Sequence, residues 1–202
     1  MGRVRCVSES GAADGLTDER VEAGRLILSQ RSLSDSEEQL VDDALAEGGD
    51  PREVLTELEN VTVRRKDMAT LCPGAWLGDE VVNLFFKILK FRAPCDVGAP
   101  KCCFMNTSFY PKLAESGSGY TFKNVERWTR NLRVLDNDIV LVPIHCHGNH
   151  WTLAVINLLG RRFEYYDSLR GPPLQVLAHL RHWLQDVAAP VSYIHLRAHE
   201  TP

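Results

Sequence analysis

Two apolar runs rich in β-branched and aromatic residues, Trp151–Asn157 and Phe163–Asp167, flank Leu158-Leu159-Gly160-Arg161, whose glycine suits a reversal of the chain. This pattern predicts an antiparallel hairpin and constrains the fold more than any other stretch. A turn centred near Leu159 sets a register in which paired residue numbers sum to about 318. Asp167 then comes within a residue of His150 across the ladder. A carboxylate beside an imidazole fixes its tautomer and favours the imidazolium, while the other ring nitrogen can take the proton of a thiol and hold the thiolate as an ion pair. His150 and Asp167 therefore read as two members of a Cys-His-Asp arrangement. The third does not follow them, because Cys146 is the last cysteine in the sequence.

Upstream blocks widen the pattern. Trp76-Leu77-Gly78-Asp79-Glu80-Val81-Val82-Asn83 precedes Val142-Pro143-Ile144-His145, then His150-Trp151, then Tyr166-Asp167-Ser168. In this order they resemble the signature of the SUMO-specific (Ulp/SENP-type) ubiquitin-like-protein cysteine proteases: Trp-Leu-x-Asp-x-x-Ile/Val-Asn, Val-Pro-Ile-His…His-Trp, Tyr-Asp-Ser. Thr62–Leu71, Asn106-Thr107 and Val125–Thr129 extend the resemblance, which runs from about Leu33 to about Trp183.

The resemblance implies an α+β, papain-like cysteine protease fold in which a central helix packs on a mixed or antiparallel sheet. It implies His150 as catalytic base and Asp167 as its orienting acid. Trp76 and Trp151 match the tryptophans that wall a narrow tunnel for a Gly-Gly tail. Two facing indoles admit glycine and exclude any residue with a side chain. Asp79, Arg127 and Trp128 match positions that touch the folded body of the modifier. The implied partner is SUMO or another ubiquitin-like protein with its conjugates, and the implied reaction is isopeptide cleavage and precursor processing after Gly-Gly. No cofactor and no metal are expected. The implied setting is intracellular, in nucleus or cytoplasm.

The chain departs from the family pattern twice. The His145–His150 loop is one residue longer than the usual His-x-Gly-x-His-Trp spacing. The nucleophile cysteine and the oxyanion glutamine of the Gln…Asp-Cys-Gly segment have no match, since Gln175 and Gln185 are followed by no cysteine. The domain is expected to be incomplete at its C-terminal side, inactive as written, and to leave bare the core faces of the hairpin and of the helix at Asp79. The alternative function is a catalytically inactive module that binds SUMO or a ubiquitin-like protein.

Leu174–Gln185 reads as a helix after Gly171-Pro172-Pro173. From Val191 to Pro202 the character changes and resembles translated library adapter, so residues 191–202 are expected to be non-native. Residues 33–190 then form the protease domain and residues 1–32 an extension, with a helix at Leu16–Gln30. Ser34-Asp35-Ser36-Glu37 is a capping box opening a helix through Ala46, and Pro51 opens another through Leu58. Asp79–Leu89 is amphipathic, with Val82, Phe85, Phe86 and Leu89 as an expected core stripe. Ser116–Gly119 is a turn-rich insert.

Composition narrows the classes further. A net charge of −4 offers no basic face for nucleic acid. No run reaches the roughly 18 apolar residues of a membrane span. The six cysteines lack any repeated pair spacing and are expected as free thiols. His145, Cys146, His147 and His150 crowd together, but their spacing fits no standard zinc ligand pair.

Overall fold

The computed structural model describes residues 5–8, 32–92, 99–115, 119–173 and 175–198. The expected helix at Leu16–Gln30 and most of the Ser116–Gly119 insert lie outside them. The chain divides into two compact units, residues 11–81 and residues 1–10 with 82–202.

In the smaller unit Ser34 caps helix α1 (Asp35–Leu45). Its hydroxyl accepts from the Glu37 N–H while the Glu37 carboxylate accepts from the Ser34 N–H at 2.9 Å, the reciprocal pair foreseen in the sequence. The helix expected over Pro51–Leu58 is absent. Strand β2 (Val54–Leu58) instead pairs antiparallel with β3 (Val61–Arg64). Val54, Thr56, Val61, Thr62 and Val63 are β-branched, and Glu59 adopts a φ of 53° that closes the two-residue turn. Pro51 thus follows an Asp50 turn rather than opening a helix, with the Arg52 N–H bonded to Asp50 Oδ1 at 2.9 Å. Short helix α2 (Arg65–Met68) follows. Arg65 reaches the free carbonyls of Asp43 and Ala44 at the end of α1 and pairs with Glu53 at 2.8 Å.

The larger unit is built on a five-stranded sheet. Its strands are β1 (Arg5–Ser8), β4 (Cys102–Phe104), β5 (Ile139–Cys146), β6 (His150–Asn157) and β7 (Arg162–Asp167), in the spatial order β1-β7-β6-β5-β4. β4 and β5 run parallel and the other neighbours antiparallel, so the sheet is mixed. The predicted hairpin is β6–β7, but its register differs by one residue: Leu153 faces Tyr166 and Ala154 faces Tyr165. A one-residue slip moves a side chain to the other face of a sheet. In the expected register Asp167 would have shared a face with Trp151; in the observed one it shares the face of Thr152 and His150.

That face is the core. Val140, Val142, Ile144, Ala154, Ile156 and Tyr165 are buried against helices α4 (Phe109–Leu113) and α6 (Val176–Ala198), with Val125 and Thr129 buried at α5 (Glu126–Leu132). Trp183 of α6 is fully buried, edge-on to Phe109 at 5.0 Å, and its indole N–H donates to Thr129 Oγ1 at 3.0 Å. The expectation of a bare hairpin face does not hold, because α4 and α6 supply the apolar cover. α6 also runs beyond the expected Gln185 to Ala198.

Helix α3 (Asp79–Arg92) behaves differently. Asn83 clamps it to the segment after β4, donating to Thr107 Oγ1 at 3.1 Å and accepting the Thr107 N–H at 3.0 Å, and the rings of Phe86 and Phe104 lie 5.4 Å apart. The stripe expected to be core is not: Val82, Phe86 and Leu89 are half-buried, and Phe85 is 55% exposed, beside Ile88 at 41% and Phe91 at 52%. Periodicity defined an apolar face without saying that anything covers it. Among the described residues no helix is long and apolar enough to cross a membrane.

Candidate active site

Antiparallel pairing of β5 with β6 places Cys146 opposite His150, with the chain reversing through His147-Gly148-Asn149. His147 and Gly148 adopt φ values of 53° and 78°, and the Asn149 N–H returns to the Cys146 carbonyl at 3.2 Å. This left-handed pair absorbs the extra residue of the loop and lets His150 open β6 on the core face. Asp167 closes β7 diagonally across the ladder, a separation that an imidazole can span. His150 Nε2 and Asp167 Oδ1 lie 2.6 Å apart. Among the described residues the His150 ring has no other hydrogen-bond partner, which leaves Nδ1 for another group.

The Asp167 carboxylate is buried and fully engaged. Oδ1 also accepts the Leu169 N–H at 2.8 Å and Oδ2 accepts the Gly171 N–H at 2.9 Å, while the Arg170 N–H bonds the Asp167 carbonyl at 3.1 Å. Burial works to raise its pKa. The His150 hydrogen bond, the two backbone N–H groups and the His150 charge outweigh that and hold it below the ordinary carboxylate value. Asp167 is thus the fixed anion of the pair. These backbone donors were not singled out in the sequence; an Asp opening a Ser-Leu-Arg-Gly turn is the signal that would have found them.

Cys146 shares the face of His150, yet its thiol lies against Thr152 Oγ1 at 3.5 Å and the Tyr165 hydroxyl at 3.8 Å, with no bond to His150. Tyr165 is itself buried, chiefly for which reason its phenol is pushed up to about 12. Cys146 belongs to this packed polar group.

The remaining residues singled out in the sequence spread over both units. Trp76, 70% exposed, sits in the smaller unit on the loop before α3, which Thr70 fastens by accepting the Gly78 N–H at 3.0 Å. Asp79 is exposed at the start of α3. In the larger unit Trp151 is half-buried and stacked on His145, with ring centroids 4.5 Å apart and 18° between planes. On α5, Arg127 is exposed, whereas Trp128 packs partly against the core beneath Lys112 Nζ, 5.6 Å from the ring centroid.

With the His150–Asp167 pair established, comparison with known proteins supplies the family. Residues 75–199 match the model of the Ulp1 protease family, C-terminal catalytic domain. The chain belongs to the Ulp1 protease family. A sentrin-specific protease of Caenorhabditis elegans is 36% identical over 154 residues, covering 76% of this chain and 21% of that protein. The ubiquitin-like-specific protease ESD4 of Arabidopsis thaliana is 40% identical over 151 residues, covering 70% and 30%. The chain spans between 21% and 41% of the length of these and similar curated relatives. Among solved structures, the C-terminal Ulp1 protease domain in complex with Smt3, the yeast ortholog of SUMO, superimposes with a TM-score of 0.67 at 25% identity, over 79% of this chain and 69% of that one. The α+β, papain-like fold of the Ulp1 family, expected from the sequence blocks, is the fold of this chain.

Proposed function

We propose that the chain carries the base-and-acid half of a SUMO-type cysteine protease site, acting on the C-terminal Gly-Gly of SUMO or a related ubiquitin-like modifier. The observation that carries this reading is the 2.6 Å His150–Asp167 pair on the core face of a Ulp1-family sheet. His150, oriented through Nε2, would take a thiol proton at Nδ1 and later return it to the leaving amine, while Asp167 keeps the ring in one tautomer. By the family resemblance, Trp151 in the larger unit and Trp76 in the smaller would each contact the diglycine tail, and Arg127 and Trp128 in the larger unit and Asp79 in the smaller would each contact the modifier's folded body. Family membership and the complex of a solved relative with Smt3 support that assignment. Residues 33–190 would form the protease domain and residues 1–32 an extension that adds β1 to its sheet; residues 191–202 would be foreign to it, although α6 runs on to Ala198 and the family match to residue 199.

A second reading rests on a specific observation: no cysteine follows Cys146, and its thiol contacts Thr152 and Tyr165 rather than His150. The 202 residues would then bind a modifier without forming a thioester. A SUMO probe ending in a diglycine-linked electrophile separates the two. Covalent labelling abolished by His150→Ala supports the protease; reversible binding without labelling supports the module; neither labelling nor binding overturns both.

A further inference from the structure

The geometry points to Gly171 as a positioning residue for Asp167, its missing side chain being the space in which the carboxylate sits. This rests on the reading of His150 and Asp167 as base and orienting acid. A Cβ placed on Gly171 would lie 2.6 Å from Asp167 Oδ2 and 3.8 Å from its Cγ, and among the described residues, apart from chain neighbours, no other heavy atom comes within 4 Å of it. The collision among these residues is therefore with the Asp167 carboxylate. It is not a matter of backbone freedom, since the Gly171 φ lies outside the left-handed region.

The preceding residue makes the approach close. Arg170, with a φ of 60°, folds the chain back over Asp167, so that the Gly171 N–H donates to Oδ2 at 2.9 Å. Oδ1 carries the His150 and Leu169 bonds, and Oδ2 carries that of Gly171. A carboxylate is a rigid plane. A methyl group at position 171 must push Oδ2 aside, and the movement that clears it also turns Oδ1 away from His150 Nε2. The obstructed atom ends a side chain, so the turn can keep its path while the His–Asp alignment is lost. A loop glycine that otherwise reads only as the entry to α6 thereby sets the orientation of the acid.

The test is a double-variant cycle in the 202-residue chain, with Gly171→Ala made alone and together with Asp167→Ala, followed by urea unfolding. NMR of the His150 ring and of the Asp167 carboxyl completes it. Expected results are a lower unfolding midpoint for Gly171→Ala alone and no further loss when it is added to Asp167→Ala, because the obstructing oxygen is gone. The carboxyl in Gly171→Ala should titrate at higher pH than in the unsubstituted chain, and the hydrogen-bonded Nε2–H signal of His150 should weaken or move upfield. Equal destabilisation in both backgrounds would assign Gly171 to helix entry and overturn the proposal. So would an unchanged Asp167 titration and His150 signal. If Gly171→Ala fails to fold, the double variant must still fold as well as Asp167→Ala, or the proposal fails. Failure of the protease reading is separate: the clamp would survive in NMR while probe labelling and modifier binding ignored Asp167→Asn.

Discussion

Two apolar surfaces of the larger unit are treated in opposite ways. The sheet face bearing Val140, Val142, Ile144, Ala154, Ile156 and Tyr165 is sealed by α4 and α6, with Trp183 filling its centre. The face of α3 bearing Phe85, Ile88 and Phe91 stays 41–55% exposed, and the helix is held by the Asn83–Thr107 clamp and the contact of Phe86 with Phe104. His150 and Asp167 stand at the margin of the sealed face. An imidazole–carboxylate pair keeps its geometry only on a support that does not move, and the filled core supplies one. The helix that begins with Asp79 keeps the stripe of Phe85, Ile88 and Phe91 exposed, and the Asn83–Thr107 bonds tie it to the segment after β4.

The contrast can be broken most severely at Trp183. Trp183→Ala leaves a large cavity and removes the indole N–H that Thr129 Oγ1 accepts, and should cost about 3–5 kcal/mol, read as a lower urea midpoint, with the His150–Asp167 NMR signals lost alongside. An unchanged midpoint would mean that the sheet face does not depend on α6.

Asp167→Ala comes next, at about 1–3 kcal/mol, because it orphans His150 Nε2 and the N–H groups of Leu169 and Gly171. Its sign with pH follows from the depressed folded-state value. In the unfolded chain an aspartate titrates near about 3.9. The Asp167 contribution is therefore full above that value and is lost as pH falls through the lower folded-state value. The stability gap between the parent chain and Asp167→Ala should narrow on acidification below about pH 4. A gap that widened in acid would refute the assignment of Asp167 as the fixed anion.

Asn83→Ala removes both clamp bonds to Thr107 and should cost about 1–2 kcal/mol while leaving the His150 signals in place, since the clamp serves α3 and not the hairpin. Phe85→Gln should change stability by less than about 0.5 kcal/mol, with self-association in light scattering reduced, because that ring already faces solvent. A loss as large as that of Trp183→Ala would show the two surfaces to be equivalent.

The sequence carried the hairpin, the Ser34 capping box and the approach of Asp167 to His150, because each is written in local chemistry: alternation, a glycine turn, a hydroxyl three residues before a glutamate. It did not carry the exact pairing. One residue of slip decides whether Asp167 joins His150 or Trp151, and the number of residues in the Leu158–Arg161 turn allows either. Val54–Leu58 reads as a helix in the sequence and is a strand in the structure, because Pro51 suits a helix start as well as a turn, and the Glu59-Asn60 turn lacks the usual Asn-Gly form. The exposure of Phe85 was invisible for a different reason. Helical periodicity reports that a face is apolar, whereas its burial depends on residues far away in sequence. The hydrogen bonds of Leu169 and Gly171 to Asp167 belong to backbone groups, which side-chain patterns do not report.

The most direct test of the account is calorimetric titration of the 202-residue chain with SUMO ending in Gly-Gly and with SUMO lacking those two residues, repeated with Trp151→Ala. The account predicts binding that weakens at least tenfold when the glycines are removed, and a comparable loss with Trp151→Ala, since in the proposed function Trp151 confines that tail. Equal affinity for both forms of SUMO, untouched by Trp151→Ala, would contradict it.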